Sequence, residues 1–260
     1  MMNISNLKVS FDKNLIIKNF SNDFEKSQVV TIIGPNGSGK STVLRAIAKL
    51  IKKDSGKVIF EGTDINKISS RQLAQKLAIL MQSNTAPTSF TVKQLVAYGR
   101  IPHQKWFETK DKDHDEVVEW ALKEAAVKHM EDRIVSSLSG GERQKVWIAT
   151  ALAQKPEVLF LDEPTTYLDI CHQLEIMQLV KKLNQEHKIS VVMVLHDLNQ
   201  AIQFSDKIIV LKKGEIVGCG VPNDVITEAL LEDVYNIKAH VEYNHYTKSV
   251  CIVPICLKTI

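Results

Sequence analysis

Gly34, Gly39, Lys40 and Ser41 follow the order G-x-x-x-x-G-K-[ST] within the stretch VVTIIGPNGSGKST. Glycines at that spacing let successive backbone N–H groups turn inward around an anion. The apolar residues 29–33 in front read as a strand and STVLRAIAKLI behind as a helix, so the loop would end on a helix N-terminus whose partial positive charge suits phosphate. Lys40 would reach the β- and γ-phosphates of a nucleotide and the Ser41 hydroxyl would ligate Mg²⁺. A second chemical feature is LDEPTTYLDI, where Asp162 and Glu163 stand side by side behind the apolar residues 158–161. Side chains alternate across a strand, so a pair of adjacent carboxylates at its end needs a reason; a plain strand stop enforced by Pro164 is one. With a phosphate loop in the same chain, phosphoryl transfer is the better one: Asp162 holds Mg²⁺, usually through water, and Glu163 is the general base that polarises a water toward the γ-phosphate. Ser139, Gly140 and Gly141 precede a long helical pattern. They offer either another anion site at a helix start or an ordinary N-cap, with Glu142 closing a capping box.

The elements that must hold these residues follow from periodicity. Short apolar runs alternate with amphipathic segments: VVTII then STVLRAIAKLI, VLFL then ICHQLEIMQLVKKL, SVVMVL then DLNQAIQF. That is the pattern of a largely parallel sheet covered by helices, an α/β fold. ISNLKVSF, KVIFEG and KIIVLKKGEIVGCG read as additional strands, the last a hairpin turning at Lys213-Gly214. Between Gln82 and about Glu157 the apolar runs vanish and DEVVEWALKEAAVKHM shows helical spacing through Val117, Trp120, Ala121 and Glu124, which predicts a helical insertion.

A chain of 260 residues buries an ample core without disulfides, and Cys171, Cys219, Cys251 and Cys256 lack the paired spacing of a zinc site. They read as reduced thiols, which suits a cytosolic compartment. The opening MMNISNLKVSF has neither the basic flank nor the apolar stretch of a secretory signal, and no run approaches the length needed to span a bilayer. A net charge of +3, with basic and acidic residues interspersed, argues neither for nor against nucleic acid.

With GPNGSGKST, LSGGE and VLFLDEP in that order, the sequence resembles the ATP-binding subunit of an ABC transporter over essentially its whole length. The resemblance makes Gly34, Pro35, Asn36, Gly37, Ser38, Gly39, Lys40, Ser41 and Thr42 the Walker A loop, Ser139, Gly140 and Gly141 part of the signature, and Asp162 and Glu163 the Walker B end. Gln82 in LAILMQ matches the Q-loop glutamine, linking Mg²⁺ to the helical region. Asp169 in TYLD matches the D-loop aspartate, and His196 in VVMVLHD the switch histidine that senses the γ-phosphate. Phe11 stands where the family usually stacks a tyrosine on adenine, keeping the apolar face but losing the hydroxyl. The family's fold implies a P-loop NTPase cassette over residues 1–260 with an N-terminal antiparallel β region. Its nucleotide-binding α/β core would comprise residues 1–82 and 158–260, and its helical subdomain residues 83–157. The resemblance also implies ATP and Mg²⁺ as cofactors and a second copy docked head to tail around ATP. Polytopic permease subunits would hold the chain at the cytoplasmic face of the cell membrane, an extracytoplasmic binding protein would take part indirectly, and no nucleic acid is expected.

QLVAYGRIPHQ, LDEPTTYLDICHQLEIM, VLHDLNQA and the ending VEYNHYTKSVCIVPI look like the importer ATPases for ferric siderophores, ferric citrate, haem and cobalamin. The expected cargo is a ferric siderophore, with haem or cobalamin as alternatives. Tyr98 to Trp106 would lie near a permease loop, Arg100 offering planar hydrogen bonding and Trp106 an apolar anchor. A soluble ABC protein acting on nucleic acid or ribosomes usually has two cassettes or a long coiled-coil insertion, and a regulator without turnover would lack Glu163 or the signature. The sequence shows neither departure.

Overall fold

The computed structural model describes residues 1–12, 14–104 and 112–258, the side chains of Lys112 and Asp113 excepted. The chain packs as two compact units, one of Met1–Lys67 with Val192–Ile260, the other of Ile68–Val191.

In the first unit β1 (Met2–Phe11) pairs antiparallel with β2 (Asn14–Phe24). Met2, Ile4, Leu7 and Val9 all face inward although Ile4 and Leu7 are three apart. Asn6 absorbs the odd residue with φ of 51°, a bulge without which Leu7 would point to solvent. β3 (Val29–Ile33) is buried along its whole length and leads through the phosphate loop into α1 (Lys40–Ile47). β4 (Ser55–Phe60) and β5 (Thr63–Asp64) extend the antiparallel side.

The second unit opens with α2 (Ser70–Ala74) and β6 (Leu77–Leu80), followed by α3 (Val92–Tyr98), α4 (Lys112–Glu124) and α5 (Gly140–Leu152), which pack on one another. β7 (Val158–Asp162) lies parallel to β6, and α6 (Ile170–His187) covers the return to β8 (Ser190–Val194), within which the chain passes back into the first unit. The buried stripe of α4 is Val118, Ala121 and Leu122, continued by Ala125. Val117, Trp120 and Glu124 sit at its edge, one residue off the expected face.

α7 (Leu198–Phe204) then leads to β9 (Lys207–Lys212) and β10 (Glu215–Gly220), which turn at Lys213 and Gly214, both left-handed as a two-residue hairpin requires. Within the first unit the strands run β5-β4-β1-β2-β10-β9-β3, with β9 parallel to β3. α8 (Pro222–Val225) and α9 (Glu228–Tyr235) precede the terminal hairpin β11 (Ile237–Asn244) and β12 (Ser249–Leu257). That hairpin is fastened by Asn199 on α7, whose side-chain amide donates to Ile252 O at 3.2 Å and accepts from Ile252 N at 2.9 Å, copying a strand's own pairing.

The segment after α3 turns inward. Arg100 is buried and gives a guanidinium hydrogen bond to Ala153 O at 2.8 Å, and His103 Nε2 bonds Gln154 O at 2.8 Å, both at the C-terminal end of α5. Helix-end carbonyls attract donors and positive charge, so Arg100 does not present the outward fork expected of it. Arg71 and Gln75 hold Pro102 O from the other side. Trp106 lies outside the described residues.

A carbonyl can only accept, so the proton of neutral His103 belongs on Nε2. Burial, the largest influence, together with Arg100, His114 and Arg71, keeps its pKa below the usual 6.5 against the opposing pull of Gln154 O. The unfolded chain therefore binds this proton more readily, and stability present above pH 6.5 is lost as pH falls through the lowered value. Urea midpoints at pH 7.5 and 5.5 should show a smaller acid loss in His103→Asn than in wild type; equal losses would remove His103 from the acid response.

Candidate active site

Backbone shape makes the phosphate loop. Gly34 has φ of 149°, and a Cβ there would lie 2.1 Å from Leu211 O, so a side chain is excluded by backbone and not by a movable neighbour. Gly39 caps α1 at φ of 101°, with Ile17 beneath it. Lys40 is 5% exposed, and its ammonium donates to Gly34 O at 2.9 Å and Pro35 O at 3.2 Å, folding across the loop. Ser38 Oγ is buried without a hydrogen-bond partner among the described residues, the orphaned donor that an anion in this loop would satisfy. Pro35, Ser41 and Thr42 are half-buried, while Asn36 and Gly37 are exposed at the rim. Tyr235, at the end of α9, has its hydroxyl buried against the Gly34 backbone, and burial raises its pKa. Phe11 ends β1 beside its hairpin turn, exposed, and His196 is exposed just beyond β8. All of these belong to the first unit.

The second unit carries the carboxylates. β7 ends at Asp162, which is 1% exposed. Glu163 lies past the strand with φ of 55°, a left-handed conformation uncommon outside glycine. Strand alternation therefore no longer governs its side chain. Glu163 Oε2 accepts from Gln82 Nε2 at 2.6 Å and from Thr166 Oγ1 at 3.3 Å. Because a carboxylate only accepts, the Gln82 amide must present its nitrogen to Glu163, and its carbonyl oxygen faces away. Residues 82–88, Gly140, Arg143, Trp147 and residues 166–168 line one cleft of this unit.

The signature turn is a complete capping box. Ser139 Oγ accepts from Glu142 N at 3.3 Å and Glu142 Oε2 accepts from Ser139 N at 2.8 Å, and the Ser139 backbone bond is the main cause holding the Glu142 carboxyl below its usual range. Ser139 and Gly140 remain exposed at the N-terminus of α5. The capping reading and the anion-site reading are thus compatible, since the cap exposes the helix end while ordering it. Asp169 caps α6 through His172 N at 2.9 Å, which keeps its carboxyl below the usual range as well.

A family model described as ABC transporter matches residues 17–166. The chain belongs to the ABC transporter family. Among relatives, the iron(3+)-hydroxamate import ATP-binding protein of Bacillus subtilis is 41% identical over 96% of this chain and 92% of its own. An ABC transporter of metal-chelate type, solved in an inward-facing conformation, superposes with a TM-score of 0.85 at 26% identity, covering 98% of this chain and 97% of that one. A dimeric ATP-binding cassette, MJ0796, in a post-hydrolysis state with ADP and Pi gives 0.73 at 30% identity, covering 85% and 99%.

In this ABC ATP-binding subunit, sequence reading passed over Thr166, His172 and Arg133. Thr166 lies in LDEPTTYLDI, three residues past Glu163, and that spacing is the only cue to it. Arg133, which holds Glu142 Oε1 at 3.1 Å, had no local signal.

Gly34→Ala should destabilise the chain by about 1–3 kcal/mol, because the Leu211 carbonyl cannot yield. Gly37→Ala, with nothing within 4 Å and only its φ of 76° against it, should cost about 1 kcal/mol. Urea denaturation of both variants checks the order; an equal cost would deny the Leu211 contact.

Proposed function

We propose that the chain is the ATP-hydrolysing subunit of an importer for iron chelates, with ferric siderophores as the cargo class. The observation that carries the hydrolytic part is Glu163, turned out of β7 beyond Asp162 and held by Gln82 at 2.6 Å. Glu163 acts as the general base, its carboxylate oriented by the Gln82 amide and Thr166 hydroxyl so that a water's proton has a fixed acceptor. Lys40 gives its ammonium to the phosphates in place of the loop carbonyls, and Ser38 Oγ and the loop N–H groups complete the cradle. Ser41, Gln82 and Asp162 offer a hydroxyl, an amide oxygen and a carboxylate, an all-oxygen set that suits Mg²⁺. When bound, Mg²⁺ neutralises charge on the phosphates. His196 answers to the γ-phosphate, Asp169 orders the segment after Glu163, and Phe11 offers its exposed ring to adenine.

A second copy supplies Ser139, Gly140 and Gly141 to this chain's nucleotide, head to tail. The dimeric cassette solved with ADP and Pi supports that reading, as does a signature turn exposed at its helix end. Residues 83–157 form the functional helical subdomain, and its Tyr98 and Ile101, both exposed, face the permease. Among the described residues no helix is long and apolar enough to cross a membrane, so attachment at the cytoplasmic face runs through permease subunits, with a binding protein delivering cargo outside. Likeness to an iron(3+)-hydroxamate import protein and to a metal-chelate-type transporter favours iron chelates over haem or cobalamin.

Lys40→Ala should weaken ATP binding by about 10- to 100-fold, the worth of a charged hydrogen bond. Glu163→Gln should keep binding, lower turnover by about 100-fold or more and accumulate an ATP-bound dimer on light scattering. Wild-type turnover in that variant would exclude Glu163 as the base. Ser139→Arg should leave monomer ADP binding intact and abolish ATP-driven dimerisation. Uptake of radiolabelled ferric siderophores, haem and cobalamin by a deletion strain under iron limitation tests the cargo; unchanged siderophore uptake without a redundant ATPase would reject it.

A further inference from the structure

His172 joins the Asp169 turn to the signature glycines. Its Nδ1 lies 2.8 Å from Asp169 Oδ2, in addition to the capping bond from its backbone N to Asp169 Oδ1. The same carboxylate thus grips both the backbone and the ring of one residue, which fixes the rotamer of each side chain. The far edge of the ring lies against the signature. A Cβ added to Gly141 would fall 1.9 Å from His172 Cδ2, 2.4 Å from Cγ and 2.7 Å from Nε2, while one added to Gly140 would fall 3.6 Å from Leu168 Cδ2. One turn further along the two helices, Lys145 and Glu175 form an ion pair at 3.0 Å, so the starts of α5 and α6 run side by side. On the other side of Asp169 the chain is tied back toward the base: Gln173 Nε2 donates to Leu168 O at 2.9 Å, Leu168 N to Thr165 O at 3.4 Å, and Thr166 N to Glu163 O at 3.3 Å.

We propose that His172 is a positioning residue that clamps the signature glycines to the Asp169 turn, so that the signature and the segment behind Glu163 move as one piece. The proposal rests on the head-to-tail reading above, because only there does the signature meet a nucleotide. The ring suits the task on two counts. It is flat enough to lie on a residue without a side chain, and it carries a donor on the edge facing Asp169 while leaving the opposite edge against Gly141. Gly141 is therefore glycine because His172 occupies the place of its side chain, a requirement distinct from φ, since its φ is not in the left-handed region. Loss of the ring would leave Asp169 capping α6 through the backbone alone and would let the signature turn shift relative to it.

The test compares wild type, His172→Leu, His172→Asn, Gly141→Ala and the Gly141→Ala/His172→Ala pair as full-length chains. ADP affinity of the monomer should stay within about twofold in His172→Leu, because ADP is held by the phosphate loop, whereas kcat and the ATP-driven dimerisation constant measured in a Glu163→Gln background should each fall about tenfold, the loss of one hydrogen bond to a charged group. His172→Asn, which keeps a donor for Asp169, should recover most of both. Gly141→Ala should lower kcat more in wild type than in the His172→Ala background, where the clash is gone; this cycle reads the contact even if His172→Leu folds poorly. Wild-type kcat and dimerisation in His172→Leu, or additive effects of Gly141→Ala and His172→Ala, would overturn the clamp. A Glu163→Gln chain with His172 intact that stays monomeric with ATP would overturn the head-to-tail reading, and the clamp with it.

Discussion

A buried ammonium needs compensation, and at Lys40 that need shapes the first unit around its loop. The charge sits 5% exposed, and two carbonyls of its own loop, Gly34 O and Pro35 O, receive it. For those carbonyls to face Lys40 the chain must reverse tightly after β3. The reversal needs Gly34 against the Leu211 carbonyl and Gly39 at left-handed φ over Ile17. β9 and β2 are therefore part of the loop's mould, since each contributes a backbone or apolar surface that leaves no room for a side chain. A charge held by neutral acceptors such as carbonyls is also one that phosphate oxygens can recruit, because bonds from a cation to an anion are the stronger ones.

The second unit solves a different problem, two carboxylates adjacent in sequence with different duties. Asp162 ends β7 inside the fold, while Glu163 adopts φ of 55° and leaves the strand's alternation. The left-handed conformation costs something for a residue with a Cβ, and the hydrogen bonds from Gln82 and Thr166 to its carboxylate help hold it. The nearby Tyr167, also left-handed at φ of 64° and almost wholly exposed, continues the same unusual path.

Arg100 shows how a residue type can suggest an outward role that packing overrules. From its type and place in AYGRIPHQ, Arg100 was expected to offer planar hydrogen bonding to a permease loop. The C-terminal carbonyls of α5 draw Arg100 and His103 inward, and Pro102 is pinned by Arg71 and Gln75, leaving Tyr98 and Ile101 as the exposed members. The cue for this lay in the end of α5, 53 residues away, which no local pattern could couple to Arg100.

The chemistry was determined by the sequence alone wherever it depends on residues close along the chain. The phosphate loop spans eight positions from Gly34 to Ser41, the capping box of Ser139 and Glu142 four, and the turn at Lys213-Gly214 two. At such separations the backbone's few allowed conformations nearly dictate which atoms meet. The α/β alternation was likewise readable, because burial of one face imposes a period on each element. Tertiary structure alone decided what meets across distance: Gln82 with Glu163 across 81 positions, His172 with Gly141, Arg100 with Ala153 and Asn199 with Ile252. It also decided details of face and register, such as the bulge at Asn6 and the stripe of α4. Each depends on packing between elements, whose energy is spread over many apolar contacts that no single residue's type reveals.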